Sequence, residues 1–342
     1  MVRDVLRSLG CAMVALCLFT LCPLTPAKAA ESWDSVVAAA KTERNLVIYH
    51  SQFGAGYFTD AVKKFERDTG IRVRLLDGRA TEISERIRSE GASNRRIGDL
   101  VFSSTAILQT LEDERLLLPV GNIPNLSNLR ESASTTRAPA FRQIIGILVN
   151  TDLVSEKDEP RHWQDILDPK WKGKILSNEP RTVGAGLGAL GPLWRTFGET
   201  YIEALSKQGV TFSRDVRLEE RRIAMGEFSM LISEMLAFSK ELKDLPVKMI
   251  TPEPSSPYTP IDMSVIGNAP HPNAARLFIN YFLSDPVQLA YAKAGMRPVV
   301  KGVIEQLSDA DRKLLDVTLM GWVTREDREP GIAVMKKYFG AN

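Results

Sequence analysis

NLVIYHSQFGAGYFTDAVKKFERDTGIRVR, residues 45–74, reads as strand, loop, helix and strand. Leu46, Val47, Ile48 and Tyr49 form a short apolar run suited to a buried parallel strand. His50 through Gly56 breaks that run with small, polar and glycine residues. Thr59 is the expected N-cap of a helix whose apolar positions Ala61, Val62 and Phe65 fall three or four apart. Gly70 is placed to stop the helix, and Ile71, Val73 and Leu75 alternate as the next strand. A βαβ unit puts its first loop at the carboxyl end of the strand, where open α/β sheets bind ligands. Ser51, Gln52 and Tyr57 in or beside that loop are therefore candidate ligand contacts.

Upstream, Arg3 and Arg7 precede an apolar stretch from Leu9 to Leu21, and Ala27-Lys28-Ala29 offers a small-residue cleavage site. Residues 1–30 read as a signal peptide, too short in its apolar part to span a bilayer comfortably, so a soluble periplasmic product is expected. Cys11, Cys17 and Cys22 all lie in this leader, which leaves the mature chain without disulfides, thiolate metal sites or a cysteine nucleophile. The formal charge of +2 vanishes once Arg3, Asp4, Arg7 and Lys28 are set aside. A neutral mature chain gives no reason to expect nucleic acid or an anionic membrane as partner. A chain of 342 residues exceeds one comfortable core even without the leader, so two domains are expected.

Downstream, Gly98 to Phe102 is a short strand running into Ser103-Ser104-Thr105 and then a helix from Ala106 to Arg115. Residues 119–140 read as an irregular passage, and Phe141 to Asn150, interrupted by Gly146, as a strand that crosses between lobes. Glu179 to Gly186 superficially resembles a phosphate-cradling loop but lacks the lysine and glycine spacing of one. Thr182 and the Val183 and Gly184 amides after it could hold an anion, or the glycines could simply let a helix pack closely. Strands are expected at 228–232, 247–250 and 261–266, with Tyr258 in a proline-rich loop before the last. Helices open at His271-Pro272 and at Ser284-Asp285-Pro286. The tail from Asp309 reads as helical with a solvated face.

Taken in this order, LVIYHSQ, FERDTGIRV, GDLVFSS, WQDILDPKWKGKI, GEFSMLI, GNAPHPNAARLFINYFLSDPVQ and GMRPVV resemble the family 1 extracellular solute-binding proteins. These are periplasmic receptors of ABC importers, and the resemblance is to their ferric-ion binding branch. It implies an α/β type II periplasmic-binding fold with two lobes joined by two crossover strands. It places residues 31–145 and 265–318 in one lobe, and 146–264 and 319–342 in the other. A small-molecule ligand would lie between the lobes of a monomer, and closure would present both lobes to an inner-membrane permease. Iron-binding members use a histidine or similar group in the first loop and two adjacent tyrosines after the strand near residue 230. Here Gln52-Phe53 and Ser233-Glu234-Met235 occupy those places.

Several ligand classes follow. An organic anion, such as a carboxylate or phosphonate, would use hydroxyls at helix starts (Ser51, Ser103 or Ser104, Thr182) with Arg79, Arg142 or Arg181 as charge partners. Each of these groups also has a plain reading as a cap or a surface charge. Ferric iron, or an iron chelate, would draw on Tyr57, Tyr258, Glu234 or Asp262. A polyamine or thiamine would want Glu234 and Asp262 free beside aromatics. No cofactor and no resident metal are expected. An exported hydrolase is the alternative from another class. The three histidines, His50, His162 and His271, sit in no G-x-S-x-G or H-E-x-x-H setting, and adjacent His50 and Ser51 would face opposite ways on a strand.

Overall fold

The computed structural model describes residues 32–51 and 56–340. Its first part contains α1 (Trp33–Glu43), β1 (Asn45–His50), α2 (Gly56–Thr69), β2 (Arg72–Asp77), α3 (Ala80–Ala92), β3 (Leu100–Ser104), α4 (Thr105–Asp113), β4 (Leu117–Leu118) and β5 (Ala138–Asn150). Next come β6 (Ile175–Asn178), α5 (Ala185–Phe197), α6 (Glu199–Ser206), β7 (Thr211–Ser213), α7 (Val216–Ala224), β8 (Met230–Met235), α8 (Leu236–Ser239), β9 (Val247–Ile250) and β10 (Ser256–Ile266). The chain ends with α9 (Pro272–Phe282), α10 (Asp285–Lys293), β11 (Arg297–Pro298), α11 (Asp309–Leu315), β12 (Leu319–Gly321) and α12 (Arg325–Phe339).

The opening βαβ unit forms because one set of side chains serves both elements. Leu46 and Ile48 of β1 are buried with Phe58, Val62 and Phe65 of α2 in a single apolar cluster. β1 pairs in parallel with β2 on one side and β3 on the other. The helix starts at Gly56, three residues before the Thr59 cap expected from sequence.

One path of hydrogen-bonded strands runs β2-β1-β3-β10-β5-β8-β6-β7, with β9 also on β5. Two strands carry it across the molecule. The first half of β5, up to Ile144, pairs with β10, whereas Ile145 onward pairs with β8 and β9. Gly146 therefore does not interrupt the strand but sits where it changes partners. β10 runs back, pairing with β12 at Ser256 and Pro257 and with β3 from Ile261 to Val265. Tyr258 thus lies in a strand and not in a loop. Two main apolar clusters flank the crossover. One gathers α1, α2, α9 and α10 around β1, β3 and the first half of β5. The other gathers α5, α6 and α12 around β6, β8 and the second half of β5.

The tail departs most from the expected single solvated helix. It is broken by β12, and Val334 and Met335 of α12 are buried in the second cluster. Among the described residues no helix is long and apolar enough to cross a membrane.

Candidate ligand-binding site

β3 ends at Ser104, which is the N-cap of α4 yet makes no side-chain capping bond. Across the cleft, β6 ends at Asn178 and the chain reaches α5 through Gly184, an N-cap with no side chain to offer. Asn178 Oδ1 accepts from Gly186 N at 3.3 Å, and a Cβ at Gly186 would fall 2.1 Å from the Asn178 carbonyl oxygen. Glycine is what lets this helix start so close to the strand. The N-terminal turns of α4 and α5 thus come from opposite lobes and line one cavity of about 270 Å³. Helix starts of this kind favour negative charge, through unpaired amides and the helix dipole.

The rest of the lining comes from the crossover and the tail. Tyr258, Thr259 and Pro260 of β10 form one wall, Met235 closes the end of β8, and Trp322, Val323 and Arg328 arrive from around the start of α12. Arg328 is the sole charged residue of that lining among the described residues. Its neighbours Arg325 and Asp327 are engaged elsewhere, with Asp113 and Arg195. Burial holds the Tyr258 phenol above its ordinary pKa, so it stays a neutral donor.

A second, polar chamber of about 200 Å³ adjoins the first and shares Tyr258, Pro260 and Trp322 with it. Asp262 is its buried centre. It accepts from Thr105 Oγ1 at 2.6 Å, Arg142 at 3.1 Å and Arg137 at 3.3 Å. Arg142 in turn reaches Glu131 at 2.7 Å. Asp262 and Arg142 therefore satisfy one another, and the carboxylate is not left free for a cation.

The residues singled out from sequence separate into three groups. Ser104, Val183, Gly184 and Tyr258 line the cavity together, and Arg142 and Asp262 form the network next to it. The hydroxyls of Ser51 and Ser103 lie 3.1 Å apart, with Ser103 fully buried opposite Asp262 on β10. The remainder lie elsewhere. Arg79 is exposed at the start of α3. Arg181 forks onto Glu179 and donates to the carbonyls of Phe339 and Gly340, away from the cavity. Thr182 is exposed two residues before the actual N-cap and does not cap α5. Glu234 is buried, with neither carboxyl oxygen hydrogen-bonded. Burial and the Glu220 and Glu219 carboxyls push its pKa well above the usual range, which favours the neutral form, and it is not among the residues that line the cavity. Gln52 lies outside the described residues, as does the side chain of Tyr57.

Met235, Trp322 and Arg328 are cavity residues that the sequence reading passed over. A signal existed for Trp322: it precedes Thr324, which caps α12 by accepting from Asp327 N. An aromatic residue next to a well-capped helix start is out of place on a solvated face.

The family described as "Bacterial extracellular solute-binding protein" matches residues 99–326. The chain belongs to this family. Among its relatives, the solute-binding protein is 26% identical over 298 residues to iron uptake protein A1 of Synechocystis sp., covering 80% of this chain and 81% of that one. It is 23% identical over 240 residues to a putative 2-aminoethylphosphonate-binding periplasmic protein of Salmonella typhimurium, covering 66% and 68%. Its fold matches that of iron-bound HitA from Pseudomonas aeruginosa with a TM-score of 0.70 at 21% identity, over 86% of this chain and 99% of that one. The type II periplasmic-binding fold, with two lobes and two crossover strands, is thereby the fold of this protein, and it is the solute-binding component of an ABC importer.

Proposed function

We propose that this solute-binding protein captures a small organic anion between its lobes and delivers it to a membrane permease. The observation that carries the reading is the meeting of two helix N-termini, at Ser104 and Gly184, on a cavity whose one charged lining residue among those described is Arg328. All three features favour negative charge, each helix start by about 0.3–1 kcal/mol when exposed and more when desolvated. A polyamine would bury its charge against them with no carboxylate among the described lining residues to compensate. The relative named for 2-aminoethylphosphonate supports an anion with a phosphonate group.

Ferric iron is the second reading, favoured by the relative named as an iron uptake protein and by Tyr258 in the cavity. Against it stands the lining itself, in which Tyr258 is the one phenol and no carboxylate appears among the described residues. Titration calorimetry separates the two: methylphosphonate should release heat and lose at least tenfold in affinity on Arg328→Gln. Binding of ferric citrate alone, insensitive to Arg328→Gln, would remove the anion reading.

The same proposal takes residues 1–30 as an export signal, the mature protein as a periplasmic monomer, and the chain as a carrier without catalytic activity. It divides the lobes at Ile144/Ile145 on β5. On β10 the division falls before Ile261 and not at 264/265, because Ile261 to Val265 pair with β3.

A further inference from the structure

We infer that the anionic group of the ligand is attached to a compact apolar body, an inference that rests on the anion reading above and narrows it. Away from the two helix starts and Arg328, the cavity walls are Ala106, Leu187, Met235, Pro260, Trp322 and Val323, with the hydroxyls of Tyr258 and Thr259 on the β10 side. Of these side chains only the Tyr258 and Thr259 hydroxyls are strong hydrogen-bonding groups on both counts, the Trp322 indole donates alone, and the Met235 sulfur is a weak acceptor. A polyhydroxylated body, such as a sugar, would leave most of its hydroxyls unpaired against the apolar side of these walls, which is costly once water is excluded. An apolar body meets the same walls by removing hydrocarbon from water on both sides.

Two further features agree. Val183 lines the cavity and is 67% exposed, one of the most exposed large apolar residues described. It stands in the segment leading into α5, at the cavity mouth, where an apolar ligand would cover it. The charged groups other than Arg328 are segregated: Arg137, Arg142, Glu131 and Asp262 belong to the adjoining chamber, which shares Tyr258 and Trp322 with the cavity, and they are paired with one another. Trp322 stands between the two chambers, and its broad flat ring suits a planar or branched hydrocarbon. It is the specificity-determining residue in this account, with Arg328 and the helix amides taking the charge.

The test is titration calorimetry on the purified protein with phenylphosphonate, methylphosphonate and glycerol 3-phosphate. The expected result is that phenylphosphonate binds at least tenfold more tightly than either of the others, with a negative heat-capacity change. Trp322→Ala should lower the affinity for phenylphosphonate at least fivefold more than that for methylphosphonate, and Trp322→Leu should recover part of the difference. Glycerol 3-phosphate binding as tightly as phenylphosphonate, or Trp322→Ala weakening all three equally, would overturn the apolar body and leave the anion reading intact. Failure of all three to bind, with ferric citrate binding instead, would overturn both.

Discussion

A Cβ atom on Gly146 would fall 2.3 Å from the carbonyl oxygen of Ile250 and 2.8 Å from Met249 Cε. The strand β5 changes partners at this point, so β9 closes onto the backbone where the crossover begins. The nearer obstacle is backbone, which cannot swing aside as a side chain would. Gly146→Ala should therefore destabilise the protein by about 1–3 kcal/mol, the usual range for overpacking. Urea unfolding would read this as a lower midpoint, and an unchanged midpoint would mean that β9 can shift freely.

Ligand-driven hinge closure follows from the same geometry. A ligand contacting both lobes stabilises whichever arrangement brings the start of α4 toward the start of α5. Small-angle scattering with saturating phenylphosphonate or methylphosphonate should show a smaller radius of gyration than the free protein. Superimposable profiles with bound ligand would contradict closure.

Two ion pairs should differ sharply in weight. Asp262 and Arg142 have side chains only 5% and 6% exposed, and removing Asp262 leaves the buried Arg142 with the half-exposed Glu131 as its one remaining carboxylate. Asp262→Ala should cost about 3–5 kcal/mol. Arg325 and Asp113 are each 58% exposed, where water screens the attraction. Arg325→Ala should cost about 0–1 kcal/mol. Urea midpoints of the two variants, measured side by side, check the contrast.

Glu234 should make stability fall with rising pH. Its folded-state pKa is raised by burial and by the Glu220 and Glu219 carboxyls, with Arg217 opposing them and Glu241 adding to them. The folded protein thus holds a proton that the unfolded chain releases above about pH 4.3. Between that value and the folded-state pKa, each further pH unit costs about 1.4 kcal/mol from this group. Glu234→Gln mimics the neutral carboxyl and should flatten the dependence. Unfolding at pH 5 and pH 8 measures both slopes, and identical slopes would show that Glu234 is ionised in the fold.

The two helix starts can be probed one hydroxyl at a time. Ser104 lines the cavity with its hydroxyl not spent on capping, whereas Thr182 lies outside the lining. Ser104→Ala should weaken methylphosphonate binding by roughly 1 kcal/mol, the scale of one hydrogen bond. Thr182→Ala should leave it within about twofold, so equal effects in calorimetry would relocate the site.

The candidate site was only half legible in the sequence. Ser104, Val183 and Gly184 could be chosen because strand-end loops announce themselves through local composition, whereas Tyr258 reaches the cavity from a strand and not from the expected loop. Arg181 and Asp262 looked equally suitable, and what they do was decided by distant partners. The carbonyls at the end of α12 take Arg181 along with its near neighbour Glu179, and Arg137, Arg142 and Thr105 take Asp262. No spacing rule joins the long-range members of these pairs.

What the sequence determined by itself was everything set by periodicity and punctuation over a few residues. The βαβ opening belongs here, as do the strand Val247–Ile250 and the helices beginning at Pro272 and Asp285. Only the tertiary structure decided that the C-terminal tail returns to place Trp322 and Arg328 in the cleft. It also decided that Glu234, on a strand whose pairing with β5 shifts register beside it, is sealed away without a partner. Local patterns report which face of an element is apolar. Which distant surface covers that face depends on how the crossover strands carry the chain between lobes, and there long-range packing outweighs local preference.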